Sequence, residues 1–292
     1  MEKTQAPPHT KLTILVVLYN IEILESETVK SLILTSLGIQ SVKLLIWNNG
    51  PDYLKVSDVE PLKKVGFDAE VIETIGNESL AVIYNHFIHR YSSENYLILD
   101  HDTVLNDIYL AETLSSKSSE LSVPTIRMNG NIEGPYLNKS IIKFPQRLST
   151  SDHIMAIGSG LVIGREIVQE IKASYSSVFD ERFYLYGVDS TFFHRVNKLK
   201  LGNRVKVISG FEHFLSRLES EPEKLKAFRR KERAYDSGLQ FKYYYSFLRS
   251  YYLFSRLLLD CIINKVLGRS QSINYLDLMA AFYNGVHYRK DH

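Results

Sequence analysis

The chain has 292 residues, of which 45% are hydrophobic and 23% charged, a balance typical of globular proteins. Its length predicts one large domain or two modest ones, and its composition excludes disordered, collagen-like and low-complexity chains. The formal net charge of +2 is too small to indicate nucleic-acid binding by bulk charge. The single cysteine, Cys261, excludes an internal disulfide and a zinc site built from several cysteines.

Charge and tyrosine are distributed unevenly along the chain. Residues 1–216 carry 21 basic and 25 acidic side chains (−4), whereas residues 217–292 carry 14 and 8 (+6), and nine of the 19 tyrosines lie at or after Tyr235. The first ten residues contain two prolines and no apolar run, so we expect a flexible N-terminus that is not a signal peptide. No window of 18 residues is both apolar and uncharged, so we expect no membrane-spanning helix.

The first hundred residues alternate between apolar runs and helical patterns. We predict strands at residues 12–18, 42–47, 70–74 and 96–99, and helices at residues 26–37 and 80–89. Continuous apolar strands that alternate with helices indicate an α/β fold with a mostly parallel central sheet. Ligands bind beyond the carboxyl ends of such strands, so we expect Asn20, Asn48 and Asp100 to line one crevice.

The pattern becomes irregular after about residue 120. We predict strands at residues 141–144, 154–163 and 205–208, and helices at residues 165–174 and 189–199. From residue 221 onward the chain is predicted to be helical, with a strongly charged stretch at residues 224–233. The predicted organisation is therefore a flexible N-terminus (1–10), an α/β domain (11–216) and a basic, aromatic-rich helical region (217–292).

Two carboxylates follow directly on the predicted strand at residues 96–99, in the sequence Asp100-His101-Asp102. They can hold a divalent cation together with a diphosphate, because Mg²⁺ completes its coordination shell with phosphate oxygens and water. The same pattern also occurs in turns whose aspartates accept hydrogen bonds from backbone N–H groups. Their position at the end of a buried strand favours the cation site.

Two further residues have both a structural and a functional interpretation. Asp189 follows an aromatic cluster and a glycine at the start of a predicted helix, where it is either an N-cap or a general base. A base would have its pKa raised by the surrounding Phe183, Tyr184 and Tyr186. His213 lies beside aromatic residues and is either a packed core residue or a metal or phosphate ligand.

A glycine turn, Gly158-Ser159-Gly160, interrupts the predicted strand at residues 154–163. It lacks the lysine of a P-loop and the strand–turn–helix context of a dinucleotide site, so neither cofactor class is indicated. The remaining functional interpretation is a close approach of the backbone to a ligand.

Taken in order, these motifs resemble those of inverting family 2 glycosyltransferases with the GT-A fold, and among them the bacterial rhamnosyltransferases. The matching segments are Val16-Val17-Leu18-Tyr19-Asn20, Trp47-Asn48-Asn49-Gly50, Asn77-Glu78-Ser79-Leu80-Ala81, Leu97-Ile98-Leu99-Asp100-His101-Asp102-Thr103, Gly158-Ser159-Gly160-Leu161-Val162-Ile163, Phe179-Asp180-Glu181 through Val188-Asp189, His213, and Tyr243-Tyr244-Tyr245 with Arg249.

The resemblance implies a GT-A (nucleotide-diphospho-sugar transferase) fold with a C-terminal helical extension. It implies transfer of a sugar, from dTDP-rhamnose, to a hydroxyl of a polysaccharide or lipid-linked oligosaccharide, with inversion at the anomeric carbon. Asp189 is then the catalytic base, and Asp102 binds Mg²⁺ or Mn²⁺ with Asp100 and His213. The implied nucleotide-sugar contacts are Tyr19, Asn20, Asn48, Asn77 and Asp100, and the implied acceptor-side residues are Gly158, Ser159, Gly160 and Tyr186.

Five residues depart from the family pattern. Asn48 replaces an aspartate expected near the nucleobase, Ser79 replaces the usual glycine, and Ser250 replaces the asparagine of the usual Arg-Asn pair. Thr191 occupies a position that is usually acidic, and Val188 stands where many members have glutamate, although the rhamnosyltransferase subgroup often has Val-Asp. The same chemistry with UDP-galactofuranose or a UDP-hexose as donor is therefore an alternative. A non-catalytic scaffold of the GT-A fold at the membrane is an alternative of a different class.

Basic and aromatic side chains are concentrated at residues 224–256. Basic residues favour anionic headgroups and aromatic rings settle at the headgroup level, so this region predicts a membrane surface. Packing on the catalytic domain, or between protomers of a homo-oligomer, explains the composition equally well. If the acceptor is linked to a polyprenyl lipid, we expect a cytoplasmic protein that is peripheral on the inner face of the bacterial cytoplasmic membrane. We expect no nucleic-acid partner.

Overall fold

The computed structural model describes residues 10–35, 42–213, 222–269, 271 and 273–290. The end of the helix predicted at 26–37 and the start of the helical region predicted from 221 lie outside these residues, as do residues 1–9. Two compact units are present: the first comprises Met1–Glu78, Ile83–Val178 and Arg195–Leu215, and the second Ser79–Val82, Phe179–His194 and Ser216–His292.

The strands belong to the first unit. In chain order they are β1 (Thr10–Leu18), β2 (Lys43–Asn48), β3 (Asp68–Glu73), β4 (Ser93–Asp100), β5 (Thr103–Val104), β6 (Leu121–Met128), β7 (Asn131–Gly134), β8 (Tyr136–Leu137), β9 (Ser140–Ile141), β10 (Gln146–Arg147), β11 (Ile154–Met155), β12 (Leu161–Gly164) and β13 (Val205–His213). The helices are α1 (Glu27–Leu34), α2 (Glu60–Lys64), α3 (Leu80–Arg90), α4 (Asp107–Leu114), α5 (Arg165–Tyr175), α6 (Val188–Lys198), α7 (Glu223–Tyr243), α8 (Phe247–Val266) and α9 (Tyr275–Asn284).

A ten-stranded sheet organises the first unit, in the order β10-β13-β6-β12-β4-β1-β2-β3, with β5 on β13 and β7 on β6. Strands β4, β1, β2 and β3 are mutually parallel, so their carboxyl ends lie along one edge. Strand β12 runs antiparallel to both β4 and β6. The predicted α/β fold is therefore confirmed, and its sheet is mixed, because β12 enters from a local turn and reverses the strand direction.

The parallel strands form because their sequences suit burial on both faces. Residues 12–18 of β1 and residues 44–48 of β2 are buried throughout, as expected of continuous β-branched and leucine runs between two layers of helices. Aliphatic side chains from β1, β2 and β4 pack with Val29 and Leu32 of α1 and with Tyr109 and Leu110 of α4 in one core. This core fixes the strand ends that carry the polar residues described below.

Strand β6 lies inside the sheet although its sequence, interrupted by Ser122, Pro124 and Thr125, carries no apolar run. Proline cannot donate to a strand ladder, so strands tolerate it at edges and bulges. The pairing of β6 with β13 shifts register between Ile208 and Phe211, directly after the Pro124–Ile208 pair. Gly210 lies in this bulge, where a Cβ would be 1.5 Å from the Thr125 carbonyl oxygen. Glycine is therefore required here for β13 to continue to its end.

Two strands predicted after residue 120 are shorter than their sequences indicate. The predicted strand at 154–163 is two strands: β11 joins a small sheet with β8 and β9, and β12 joins the central sheet. Gly160, at φ +85°, ends the intervening turn. The predicted strand at 141–144 reduces to the end of β9, and Phe144 is exposed, so this apolar residue does not mark a buried strand.

The second unit contains the C-terminal helices. Helices α7 and α9 pack on each other, and Phe254 of α8 joins Ala234, Phe241 and Leu278 in a small core. The helical character predicted for this region is confirmed, and within the described residues it consists of α7, α8 and α9. Among the described residues, no helix combines the length and the apolar character needed to cross a membrane.

Candidate functional site

Asp100, Asp102 and His213 come together at the carboxyl edge of the parallel strands. One ligand atom from each lies within 4.8 Å of the other two, and Asp102 Oδ1 is 3.5 Å from His213 Nδ1. Asp100 ends β4, and His213 ends β13 opposite Thr103 of β5. The antiparallel β5–β13 pairing therefore carries the histidine to the two aspartates.

Hydroxyl groups fix the backbone of this cluster. Ser159 Oγ accepts a hydrogen bond from the Asp100 N–H (3.0 Å) and lies 2.9 Å from Thr103 Oγ1. Thr103 Oγ1 in turn lies 3.0 Å from His213 Nδ1. From α1, Thr28 Oγ1 donates to the Asp100 carbonyl oxygen and accepts from the Thr103 N–H. The loop that presents the two aspartates is thus held from two sides.

The electrostatics of the cluster favour a cation. Burial and the neighbouring Asp102 carboxylate raise the pKa of Asp100, and His213 and His101 offset this only in part. Two nearby carboxylates and an imidazole are a suitable donor set for a divalent metal ion, and a bound cation would relieve the repulsion between the carboxylates. The residues present therefore fit a Mn²⁺ or Mg²⁺ site.

Ser159 has a structural task that the sequence did not reveal. Its hydroxyl supports the Asp100 loop, and both flanking glycines, Gly158 and Gly160, are buried. Gly160 also accepts a hydrogen bond at its carbonyl from the buried Tyr109 hydroxyl (2.8 Å). The role of this turn on the acceptor side stays a prediction.

At the end of β1, Tyr19 and Asn20 are exposed, as a ligand-contacting pair would be. Asn20 adopts φ +55°, a left-handed conformation that asparagine tolerates better than most residues. Its N–H donates to the Gly50 carbonyl oxygen (2.7 Å), which joins the ends of β1 and β2. Contact of these two residues with a nucleotide stays a prediction.

Asn48 is only 1% exposed, and its amide is engaged within the protein. Its Nδ2 donates to Glu73 Oε2 and to the Asp52 carbonyl oxygen, both at 2.7 Å, and its Oδ1 accepts from the Gly50 N–H. Glu73 Oε2 also accepts from the Leu54 N–H (2.9 Å). Asn48 therefore shapes the turn after β2 together with Glu73, which ends β3 on the same edge and which the sequence patterns did not single out.

Asn49 joins the turns after β2 and β3. Its Oδ1 accepts from the Glu78 N–H (2.7 Å) and from Thr74 Oγ1 (3.1 Å), and its Nδ2 donates to the Glu78 carbonyl oxygen (2.9 Å). Asn77, half-buried at φ +54°, lies 3.4 Å from the same Nδ2. Its contact with a nucleotide sugar stays a prediction.

The second unit holds the aromatic segment that precedes Asp189. Asp180, almost fully buried, forms an ion pair with Arg182 and accepts a hydrogen bond from the Tyr244 hydroxyl (2.7 Å). Arg182 also lies 3.7 Å from the centre of the Tyr243 ring. These contacts tie the segment to the end of α7. They also give a structural role to the tyrosine cluster.

Asp189 lies in the first turn of α6, one residue after its start at Val188. A carboxylate there interacts favourably with the positive end of the helix dipole. Tyr186 is half-buried, with the Arg233 guanidinium 5.1 Å from its ring centre. Thr191, a departure from the family pattern, is buried and donates to the Gly187 carbonyl oxygen (2.6 Å).

A second carboxylate, Asp236 on α7, lies beside the segment that precedes Asp189. Its Oδ1 accepts from Gln240 Nε2 (2.6 Å), and Gln240 Nε2 also donates to Ser190 Oγ (3.1 Å). Gly187, at φ +82°, passes so close that a Cβ would be 2.0 Å from Asp236 Oδ1. Burial and the Glu232 charge raise the pKa of Asp236 to about 7. Sequence reasoning did not identify this residue, because α7 reads only as a charged helix.

Comparison with known proteins supports the fold. No protein-family profile and no curated protein sequence matches the chain. Among solved structures, Staphylococcus aureus TarS superposes with a TM-score of 0.51 at 14% identity, over 80% of this chain and 44% of TarS. Its fragment 1–349 gives 0.50 at 13% identity, over 79% of this chain and 64% of the fragment.

The chain shares the fold of these structures, and the predicted GT-A fold is thereby confirmed. The chain spans less than half the length of TarS and under two thirds of the fragment. At such low identity the likeness shows the fold alone.

Proposed function

We propose that this protein is a metal-dependent, inverting glycosyltransferase of family 2. It transfers a sugar from a nucleoside diphosphate to a hydroxyl of a polysaccharide or lipid-linked oligosaccharide. The observation that carries the proposal is the Asp100–Asp102–His213 cluster at the carboxyl edge of a GT-A-type sheet. Ligands bind at this edge in open α/β sheets, and this donor set suits a cation that accompanies a diphosphate.

In this proposal Asp102, Asp100 and His213 hold Mn²⁺ or Mg²⁺. A divalent cation bound there would neutralise the charge that develops on the leaving diphosphate. Thr103 and Ser159 keep the ligands in place through the hydrogen bonds described above. Tyr19, Asn20, Asn77 and Asp100 contact the nucleotide sugar. Asn48, expected in the same set, is 1% exposed and bonded to Glu73, so in this proposal it acts by shaping the turn after β2.

Asp189 acts as the general base. It accepts the proton of the acceptor hydroxyl while the acceptor oxygen forms its bond to the anomeric carbon. The bond from that carbon to the diphosphate breaks, and the diphosphate leaves with the electron pair. Because one displacement occurs, the configuration inverts and no covalent enzyme intermediate forms. General-base assistance of this kind contributes on the order of 10²–10⁴-fold to the rate.

Rhamnose from dTDP-rhamnose is the proposed donor, supported by the Val188-Asp189 pair that resembles the rhamnosyltransferase subgroup. In this proposal residues 11–216 form the catalytic domain, and residues 217–292 form a helical extension. The test is release of nucleoside diphosphate from a panel of dTDP-rhamnose, UDP-galactofuranose and UDP-hexoses, with Mn²⁺ or Mg²⁺ and an oligosaccharide acceptor.

Turnover with dTDP-rhamnose alone supports the proposed donor, and turnover only with UDP-sugars replaces it while leaving the reaction class intact. No turnover with any sugar nucleotide, in a folded protein, would favour the non-catalytic scaffold.

A further inference from the structure

Helix α8 exposes a wide apolar face. On one side Ser250 and Phe254 are buried, with Leu253 and Leu257 packed on the small core shared with α7 and α9. On the other side large apolar residues face solvent: Leu248 (81% exposed), Tyr251, Tyr252, Leu258, Leu259 (59%), Ile262, Ile263 (51%) and Val266 (81%). We call this set the outer face of α8.

The outer face is continuous. Leu248, Tyr252, Leu259 and Val266 follow each other at spacings of four or seven residues, which places them on one side of the helix. Tyr251, Leu258 and Ile262 adjoin this line. A globular helix ordinarily buries one apolar stripe and presents a polar face to water. Contiguous exposed apolar surface of this kind marks an interaction site.

The charge near this face favours an anionic lipid surface over a second copy of the chain as its binding partner. Residues 222–269 carry eleven basic and four acidic side chains, a balance of +7. Of the four acidic residues, Glu232 is buried and Asp236 accepts a hydrogen bond from Gln240. Two copies of this segment would bring surfaces of the same charge together, whereas an anionic lipid surface is complementary to it.

The arrangement of residues on α8 also suits a membrane interface. Arg256 and Lys265 are exposed along the helix and can reach headgroups from its flanks, whereas the Arg249 guanidinium lies 4.2 Å from the Tyr245 ring centre. Phe247, Tyr251 and Tyr252 lie in its first turns, and tyrosine is enriched at the level of headgroups. The combination of an apolar face, flanking basic residues and interfacial aromatics is typical of helices that lie in the plane of a bilayer surface.

We propose that the outer face of α8 binds an anionic phospholipid bilayer, with the helix axis in the plane of the interface. Leu259, Ile263 and Val266 enter the boundary of the acyl chains, and the basic residues contact headgroup phosphates. This places membrane contact on residues 247–269 rather than on the charged stretch at 224–233. In that stretch Lys231 lies 4.0 Å from the Tyr288 ring centre and Arg230 faces Glu223.

The test is flotation of the full chain with vesicles of phosphatidylcholine containing 30% phosphatidylglycerol. We expect binding that is at least tenfold weaker with pure phosphatidylcholine vesicles or in 0.5 M salt. The double variant Leu259→Glu/Ile263→Glu is expected to bind at least tenfold more weakly than the wild type. Because both side chains are exposed, its melting temperature should stay unchanged. Ile108→Glu, at a 66% exposed apolar residue of α4, is the matched control and should bind like the wild type.

Three results would overturn the proposal: no binding of the wild type, equal binding of Leu259→Glu/Ile263→Glu, or equal loss in Ile108→Glu. Sedimentation velocity without lipid addresses the rival occupant. A wild-type dimer that Leu259→Glu/Ile263→Glu converts to a monomer would assign the face to a second copy of the chain and also overturn the proposal. None of these measurements depends on glycosyl transfer.

Discussion

Asp102 Oδ1 and His213 Nδ1 lie 3.5 Å apart, although Asp102 follows β4 and His213 ends β13, more than a hundred residues later in the chain. Two structural features produce this approach: the Gly210 bulge, which lets β13 continue past Thr125, and the pairing of His213 with Thr103. The cluster is thus a product of the sheet register.

Removal of one ligand should weaken metal binding. Asp102→Ala or His213→Ala leaves two of the three donors, so we expect Mn²⁺ to bind at least tenfold more weakly. Titration of free Mn²⁺ by electron paramagnetic resonance measures this directly. Glu60→Gln, a surface carboxylate on α2, is the control and should bind Mn²⁺ like the wild type. Unchanged affinity in Asp102→Ala would remove Asp102 from the ligand set.

Asp189→Asn should separate the proposed base from any role in helix stability. Asparagine keeps the size and the polar oxygen of the side chain but cannot accept the proton, so we expect kcat to fall by about 10²–10⁴-fold. Donor affinity and the melting temperature should change little. Ser190→Ala, at the neighbouring residue, is the control and should retain most of the activity. A variant Asp189→Asn with wild-type kcat would contradict the assignment.

The Asn48–Glu73 pair predicts a penalty for restoring the aspartate of the family pattern. Asn48→Asp removes two donated hydrogen bonds and places a second carboxylate against Glu73, so we expect a loss of about 2 kcal/mol in the free energy of unfolding. The double variant Asn48→Asp/Glu73→Gln should recover part of this loss, because the new amide can donate across the pair. Urea unfolding of the three proteins provides the values. Full stability of Asn48→Asp would show that the pair does not hold the turn.

Asp236 predicts a pH dependence of stability. Its pKa is raised to about 7 by burial and by the Glu232 charge, whereas an aspartate in the unfolded chain titrates near 4. The folded state therefore binds this proton more tightly. The contribution to stability is complete below about pH 4 and is lost as the pH rises through 7.

The wild type should accordingly lose roughly 2 kcal/mol more than Asp236→Asn between pH 5 and pH 8. Urea unfolding of both proteins at a series of pH values measures the difference. Parallel curves would mean that Asp236 titrates normally in the folded protein.

Sequence patterns were sufficient for the parallel half of the sheet and insufficient for the other half. The apolar runs of β1 and β2 define strands by themselves, because burial on both faces leaves no polar positions. The sequence does not predict strand β6, because polar residues such as Ser122 and Thr125 break the apolar pattern and are typical of loops. Its burial depends on neighbours that come about 40 and 85 residues later in the chain.

Local sequence patterns likewise locate some residues of the candidate site and not others. Asp100 and Asp102 are two residues apart in sequence, at the end of a clear strand, so local patterns locate them. The approach of His213 depends on the β5–β13 pairing, and the partnership of Asn48 with Glu73 depends on the β2–β3 register. Asp236 lies beside Gly187, which precedes it by 49 residues, because α7 packs on that segment. Long-range pairings of this kind leave no local sequence signal.

The central claim, metal-dependent binding of a sugar nucleotide by the Asp100–Asp102–His213 cluster, is tested most directly by a thermal-shift panel. A ligand that binds only the folded state raises its stability in proportion to RT ln(1 + [L]/Kd), so the correct donor should stand out. We predict that one nucleotide class raises the melting temperature in Mn²⁺, gives little shift in EDTA and gives little shift in Asp102→Ala. An equal shift in EDTA and in Asp102→Ala, or no shift with any sugar nucleotide, would contradict the account.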